Sequence, residues 1–551
     1  MRADDRDSTV HAHSAVHRRR WTVLAVLAMS LLLCGVDMTV LHAATPSMTR
    51  DLRASGVESL WIVDVYSLTL ASLLVTCGTL GDRVGRKRMI VAGLALFGLA
   101  SAVAAFSADV VQLIAARALL GAGAAMIMAS TVAVIRVVFP DDRERTLALG
   151  VWTAAHSVGA TVGPLVGGAV VERWWWGAVF LVNVPIVAVV LAVGARVIPE
   201  SRNPAPRRWD PLGVVLSIAG LAGVVFALKE AGAYMIVDPP VVLTGAAGAA
   251  LLATFVVRQR RLAQPLLDLS LFSDRRFAMA TVCVVGCFGV YTAMLFFFTQ
   301  WFQWVGGRSP LQAGLALMPL AAANAAGAVL APYAARRLGN RYAVAGALGL
   351  FACGLAVMTV AGGAAGYGLV ASVLVVAGAG AGVVMTLGAD SIMTAADPDR
   401  AGEAAAIQET SFELGAGLGL AVFGTVLAAT YRTALSPVPN LAPAVDQAAR
   451  ESIGTAAEVA ADLDPATAGL LRETARHAYG QGFTAVTATA AVLLAALALF
   501  TALLPYRRRR TGQPRRGLRL SGHSSIQPEF SRRTAPSGAR RTPRPSPPAS
   551  R

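Results

Sequence analysis

LWIVDVYSLTLASLLVTCGTLGDRVGRKRM, residues 60–89, sets one acid, Asp64, in a largely apolar run and closes it with Gly78, Gly81, Asp82, Arg83, Gly85, Arg86, Lys87 and Arg88. A carboxylate carried into hydrocarbon costs about 2.5–3.5 kcal/mol on insertion scales, so a chain that keeps one there uses it. The closing glycines permit a tight helix-to-helix turn, and the cations beside them suit the side of a membrane where positive charge is retained. This stretch therefore reads as a membrane helix followed by a short basic connection.

Composition extends that reading to the whole chain. Of 551 residues, 55% are hydrophobic and 15% charged, and the mean hydropathy is +0.59; an ordinary soluble protein is excluded. Runs of about 18–25 apolar residues are long enough to cross a bilayer core as helices. They fall near 21–44, 58–80, 89–107, 110–136, 146–170, 178–198, 211–230, 240–257, 277–300, 311–335, 342–361, 366–392, 402–431 and 480–504. The expected fold class is an all-α membrane protein with about fourteen transmembrane helices.

Arginines then orient it. Arg18 to Arg20, the Arg83 to Arg88 cluster, Arg143 and Arg145, Arg202 to Arg208, Arg258 to Arg261, Arg275 and Arg276, and Arg336 to Arg341 occupy alternate connections. The basic side is expected to be cytoplasmic, with both termini inside the cell membrane. The first span follows a basic start, but its length, Asp37 and the lack of a small-residue cleavage site make it a retained helix rather than a signal peptide.

The formal charge of +16 comes mostly from the end of the chain, where residues 507–551 hold thirteen arginines against one acid, Glu529. With its Pro, Ser and Gly, this segment is expected to be disordered and to meet anionic lipid headgroups rather than nucleic acid. Cys34, Cys77, Cys283, Cys287 and Cys353 lie within expected helices without zinc-like spacing and read as packing residues. There is no phosphate-binding loop and no metal constellation, so no cofactor and no enzymatic chemistry are expected.

The spans group into a repeat with an insertion. Residues 1–20 form a cytoplasmic N-terminus and 21–200 a six-helix bundle. Residues 201–276 hold a polar linker and an added two-helix hairpin. Residues 277–505 form a second six-helix bundle, and 506–551 the basic tail. Arg336, Arg337, Leu338, Gly339, Asn340 and Arg341 follow the second helix of the second half, as the Gly81 to Arg88 cluster does in the first. Repeats of this kind build two-domain carriers around a midplane site. Residues 432–479 are the one long outer connection, with Glu451, Glu458, Asp462, Asp464 and Glu473 in an alanine-rich sequence that favours short helices. It reads either as a tolerated surface insertion or as an acidic cap.

The intramembrane charges carry the chemistry. Asp37 and Asp64 lie in the first two spans; Arg117 is a cation well inside the fourth and needs a carboxylate, carbonyl or water partner. Glu409 and Glu413 are four apart, hence on one helix face, and resist joint ionisation, which suits a group that exchanges a proton for a cation. Gly159, Gly163 and Gly167 give a smooth helix face for close packing, and Pro164 bends it. Among aromatics, Tyr291 and Phe298 are the better candidates for a cation–π pocket, while Trp301 and Trp304 read as an interfacial belt.

Several motifs together resemble the major facilitator superfamily. Gly78, Leu80, Asp82, Arg83, Gly85, Arg86 and Lys87 match its loop signature, which implies a conformational latch between two six-helix halves. Arg117, Gly121 and Gly123 resemble its fourth-helix motif. Gly159, Gly163, Pro164, Gly167 and Gly168 match the fifth-helix motif of antiporters. Asp37, Thr39 and Pro46 resemble the first helix of the fourteen-span drug:proton antiporters, although His42 stands where that family has asparagine. Trp61, Asp64 and Tyr66 resemble the antiseptic and quaternary-ammonium resistance branch.

The resemblance implies a proton-coupled exporter of hydrophobic or cationic compounds, powered by the proton gradient and acting as a monomer. Asp37, Asp64, Arg117, Glu409 and Glu413 would then couple substrate to protons, with Tyr66, Tyr291, Phe298, Asn324 and Gln408 lining a pocket. Asn324 and Gln408 replace acids found in that branch, which favours monovalent or neutral substrates. The alternatives are a facilitator-type importer of a small organic solute, or a membrane receptor acting through the basic tail.

Overall fold

The computed structural model describes residues 4–503 except 203–209, 235–237, 263–264, 266–268, 363–365, 396–400 and 440. The tail at 506–551 and the centre of the first linker lie outside the described residues. The first half contains α1 (Asp4–Leu52), α2 (Gly56–Val84), α3 (Arg86–Ala105), α4 (Val110–Val138) and α5 (Asp142–Arg173), with a sixth span broken into α6 (Ala178–Leu181) and α7 (Asn183–Val197). Then come α8 (Pro211–Tyr234) and α9 (Pro239–Arg261). The second half runs α10 (Arg275–Trp304), a broken span of α11 (Pro310–Ala316) and α12 (Met318–Leu338), α13 (Asn340–Ala361), α14 (Tyr367–Ala395) and α15 (Ala401–Ala434). Two short helices, α16 (Pro443–Ala449) and α17 (Ile453–Val459), precede α18 (Pro465–Leu503).

Thirteen helices among the described residues are long and apolar enough to cross a membrane, and a shorter apolar stretch, Pro211–Ala227, lies in α8. Lys229 and Glu230 end its apolar run early. Two helices outrun their apolar cores. α1 continues past Pro46 to Leu52; the hydroxyls of Thr45 and Ser47 donate to the carbonyls of Leu41 and Ala44 in the turns around the proline, the kind of local repair that lets membrane helices keep proline. α18 starts at Pro465 rather than near 480, because Asp464 Oδ1 accepts from the amides of Ala466 and Thr467 and Pro465 needs no donor in the first turn.

The repeat read from the loops recurs in the packing. In the first half α1 lies against α5, α2 against α4 and α3 against α7; in the second α10 lies against α15, α12 against α14 and α13 against α18. Glycines make these contacts backbone to backbone. A Cβ on Gly159, Gly163 or Gly167 would collide with Leu32, Thr39 or Val40 of α1, and one on Gly419 would collide with Gly289 of α10. The fifth-helix glycines are thus close-packing residues within one half. Gly168 differs, lying against Pro310 of the other half.

The halves meet at or beyond the middle of the helices, on the side away from the arginine-rich connections. There Gly314 abuts Pro164, Gly417 abuts Leu68 and Gly424 abuts Leu60, while Gln303 Nε2 donates to the Ala43 carbonyl at 3.2 Å. The long connection at 432–479 crosses the same joint. Glu458 pairs with Arg53 at 3.1 Å, and Gly454 sits on Thr49. α8 also straddles the joint, burying Val225 against Leu68 and Ala421, whereas α9 packs on α8 through Gly220, Gly223 and Gly248.

One prediction follows from the packing. Gly419→Ala forces α10 and α15 apart and should destabilise the purified protein by about 1–3 kcal/mol, whereas Gly346→Ala, which meets nothing within 4 Å, should be neutral or gain up to about 1 kcal/mol. Thermal unfolding in detergent compares them; equal behaviour would contradict the close packing.

Candidate functional site

Arg117 organises the first half's interior. The Asp109 side chain caps α4 by accepting from the Gln112 amide at 2.8 Å, and Gly121 and Gly123 let α4 settle against α2 and α3. Arg117 then lies two turns inside the helix with no solvent exposure. Its Nη1 donates to Asp37 Oδ2 at 2.6 Å, its Nε to the Ile62 carbonyl at 3.1 Å and its Nη2 to the Val63 carbonyl at 3.4 Å. The guanidinium stacks 4.6 Å above the Tyr66 ring. Carboxylate, carbonyls and ring face together supply what a cation that cannot lose its proton requires.

The remaining side of Asp37 is held by a residue the sequence reading passed over. Asn183, the first residue of α7, donates from Nδ2 to Asp37 Oδ1 at 2.8 Å and lies 3.4 Å from Ser101 Oγ. A single Asn in the apolar run 178–198 was the available signal. Tyr66 donates its hydroxyl to the Cys34 carbonyl at 3.2 Å, tying α2 to α1 one turn from Asp37. Asp64 is buried on α2 beside the Val63 carbonyl that Arg117 uses.

Across the joint stands Glu413 of α15, fully buried and without an ion pair among the described residues. The Ser67 hydroxyl of α2 lies beside it, and Tyr66 and Cys34 are nearby. Glu409 and Gln408, a turn nearer the arginine-rich side, are half-buried.

Other expected pocket residues lie elsewhere. Phe298 points into the second half, edge-on to Phe483 of α18 with centroids 4.9 Å apart, because its helix face looks toward α18 and not toward the joint. Asn324 faces α14, with Nδ2 3.8 Å from Met385 Sδ. Tyr291 is buried against Phe288 of its own helix. Trp301 is not an exposed belt residue, since it stacks on Phe483 with centroids 5.7 Å apart. Phe296 instead reaches the first half, its ring centroid 5.4 Å from that of His42.

The loop cluster is held by its own half. Arg86 pairs with Asp82 at 2.9 Å and reaches the Ala133 carbonyl of α4; its amide donates to the Ser201 carbonyl at 3.0 Å. Gly85, at φ +119°, has no room for a Cβ beside the Glu200 carboxylate, which accepts from the Lys87 amide and lies 3.7 Å from Arg88. Gly81 packs on Ser130 of α4, and Gly78 makes only an ordinary contact with Ala129. Arg83 is exposed. Among the described residues, the hydrogen bonds and ion pairs of this cluster stay within the first half and the first residue of the linker after it, and none reaches the second half. The equivalent arginine of the second half, Arg341, donates to the Thr501 and Ala502 carbonyls at the end of α18.

Removing one partner of a buried ion pair strands the other, at about 3–5 kcal/mol. Asp37→Leu should therefore sharply lower the melting temperature of the purified protein, and Asp37→Leu with Arg117→Met should recover most of that loss. A double variant no more stable than the single one would show that the pair is not the source of the cost.

A family model described as Major Facilitator Superfamily matches residues 27–420. The multidrug efflux pump LfrA of Mycolicibacterium smegmatis is 40% identical over 484 residues, covering 87% of this chain and 95% of that protein. The methyl viologen resistance protein SmvA of Salmonella typhimurium is 34% identical, covering 87% and 97%, and the tetracenomycin C resistance and export protein of Streptomyces glaucescens is 30% identical, covering 89% and 93%. Among solved structures, an inward-facing, unoccupied bacterial homologue of the human lysosomal transporter Spinster superposes with a TM-score of 0.60 at 16% identity, covering 88% of this chain and 97% of that one. With the buried Asp37–Arg117 pair, the duplicated six-helix packing and these likenesses in place, the chain belongs to the major facilitator superfamily.

Proposed function

We propose that this multi-pass membrane protein is a proton-driven efflux transporter for hydrophobic or cationic small molecules such as antiseptics, dyes and antibiotics. Its arginine-rich side and both termini would face the cytoplasm. The relatives named for multidrug efflux, methyl viologen resistance and tetracenomycin C export support the substrate class. The observation that carries the mechanism is Glu413, fully buried, with the Ser67 hydroxyl beside it and no ion pair among the described residues. A carboxylate there would lose its hydration without a cation to compensate it, so in the cycle we infer Glu413 carries a proton in this arrangement. Asp37 is paired with Arg117 at 2.6 Å at the same time.

Closure of the joint on the far side and the loop cluster's bonds within its own half support an arrangement open toward the cytoplasm. In the cycle we infer, a cationic substrate or a proton takes the place of Arg117 at Asp37, and Glu413 surrenders its proton when the halves rock apart on the outer side. Each ligand shifts the balance only through its different affinity for the two arrangements. Asp64, Tyr66, Glu409 and Gln408 would shape the same space. The loop Gly78, Gly81, Asp82, Arg83, Gly85, Arg86 and Lys87 would bias the states without meeting substrate.

In proteoliposomes with an imposed pH gradient, efflux of a fluorescent lipophilic cation should collapse on adding a protonophore and persist without ATP. Persistence after the gradient is abolished would sink the antiport mechanism. Glu413→Gln should lower substrate-induced proton release and gradient-driven transport by about tenfold or more for every substrate while leaving binding intact, because an amide cannot exchange the proton. Normal proton release in that variant would return Glu413 to a structural role.

A further inference from the structure

The coupling site contains a side chain that neither the charge pattern nor the superfamily motifs single out. Asn183 is 1% exposed and begins α7 immediately after the break at Val182, where no side-chain cap is made. Among the described residues its side-chain amide makes no hydrogen bond to backbone; Nδ2 serves Asp37 Oδ1 and Ser101 Oγ, and Oδ1 is buried with no hydrogen-bond partner among them. A polar atom left bare in this interior carries a cost of about 1–3 kcal/mol. A residue needed only to glue α7 to α1 would not require it.

An amide carries a donor and an acceptor on opposite sides of one rotatable bond. Ionised, Asp37 Oδ1 needs a donor, and Nδ2 supplies it. Protonated, the same carboxyl needs an acceptor for its hydrogen, and a half-turn about χ2 presents the bare Oδ1 of Asn183. Ser101, a hydroxyl able to donate or accept, fits either orientation of the amide. The charged and titratable groups around Asp37 are Arg117 on α4, Tyr66 on α2 and Cys34 on α1, with Glu413 on α15 and His42 on α1 beyond them; Asp64 on α2 follows the Val63 carbonyl that Arg117 uses. Of these, Arg117 bonds Asp37 directly, and it can only donate.

We propose that Asn183 is the positioning residue that lets Asp37 change protonation state, its amide turning from donor to acceptor as the carboxyl gains a proton. The inference rests on the reading above that Asp37 exchanges Arg117 for a proton or a cation. In the cycle the only covalent change is a proton transfer: Arg117 withdraws, hydronium from the proton-rich side gives its proton to Oδ1 and leaves as water, and the amide of Asn183 reverses so that its Oδ1 accepts the new O–H.

Infrared titration of the reconstituted protein over about pH 5 to 9 follows the carboxylic-acid C=O band of Asp37, assigned by its displacement in Asp37→Glu. Asn183→Leu keeps the volume and removes both hydrogen-bonding functions. It should move the Asp37 band to higher wavenumber and lower gradient-driven transport by about tenfold. Asn183→Asp, nearly isosteric and able when protonated both to donate and to accept, should retain transport within about threefold, and its carboxyl should titrate together with that of Asp37 as a coupled pair. An Asp37 band unmoved by Asn183→Leu, or two carboxyls titrating independently in Asn183→Asp, overturns the role of the amide alone. The absence of any Asp37 acid band in the wild type overturns the exchange reading together with it.

Discussion

A guanidinium with no exposure to solvent cannot shed its proton, so the structure around Arg117 must compensate it. Asp37 brings α1 to it and the carbonyls of Ile62 and Val63 bring α2. Asn183 secures the other oxygen of Asp37 and thereby adds α7. Four spans of the first half are joined through one cation. In a medium where apolar contacts between helices gain little over contacts with lipid, such polar junctions and close backbone approach are what hold a bundle together.

The glycines meet the second of those needs. On α5 they bring it onto α1, and on α15 Gly415 and Gly419 bring it onto α10, so the duplicated architecture is written in small residues at equivalent contacts. The fifth-helix motif divides its labour in consequence. Gly159, Gly163 and Gly167 serve their own half, while Gly168 against Pro310 and Pro164 against Gly314 form the seam with the other. That seam, the α2–α15 contact and the Arg53–Glu458 pair all lie away from the arginine-rich side.

Two acids are thus kept in opposite circumstances within one interior. Asp37 has a cation, an amide and a closed shell of helices; Glu413 has burial and the Ser67 hydroxyl but, among the described residues, no cation. They sit on different halves, so any relative movement of the halves alters what each can reach. Under the proposed exchange mechanism, this arrangement converts a change in protonation into a preference between states.

Hydropathy determined the rough placement of the spans, about fourteen against thirteen long enough among the described residues and one shorter apolar stretch in α8, because helix length in hydrocarbon follows directly from the count of apolar residues. Arg117 as a cation needing a partner, the repeat of the basic loops and the presence of Asp37 and Glu413 in the interior were also legible, since charge in an apolar run is conspicuous. Helix ends were not: Pro46 and Asp464 act through local hydrogen bonds that hydropathy does not register. Nor did the sequence reveal that Arg117 takes Asp37 rather than Asp64, that Phe298 turns toward Phe483, or that Asn183 meets Asp37 from a position 146 residues away. Those outcomes depend on which face each helix presents to its neighbours. In a chain apolar on nearly every face, that rotation is decided by packing between helices.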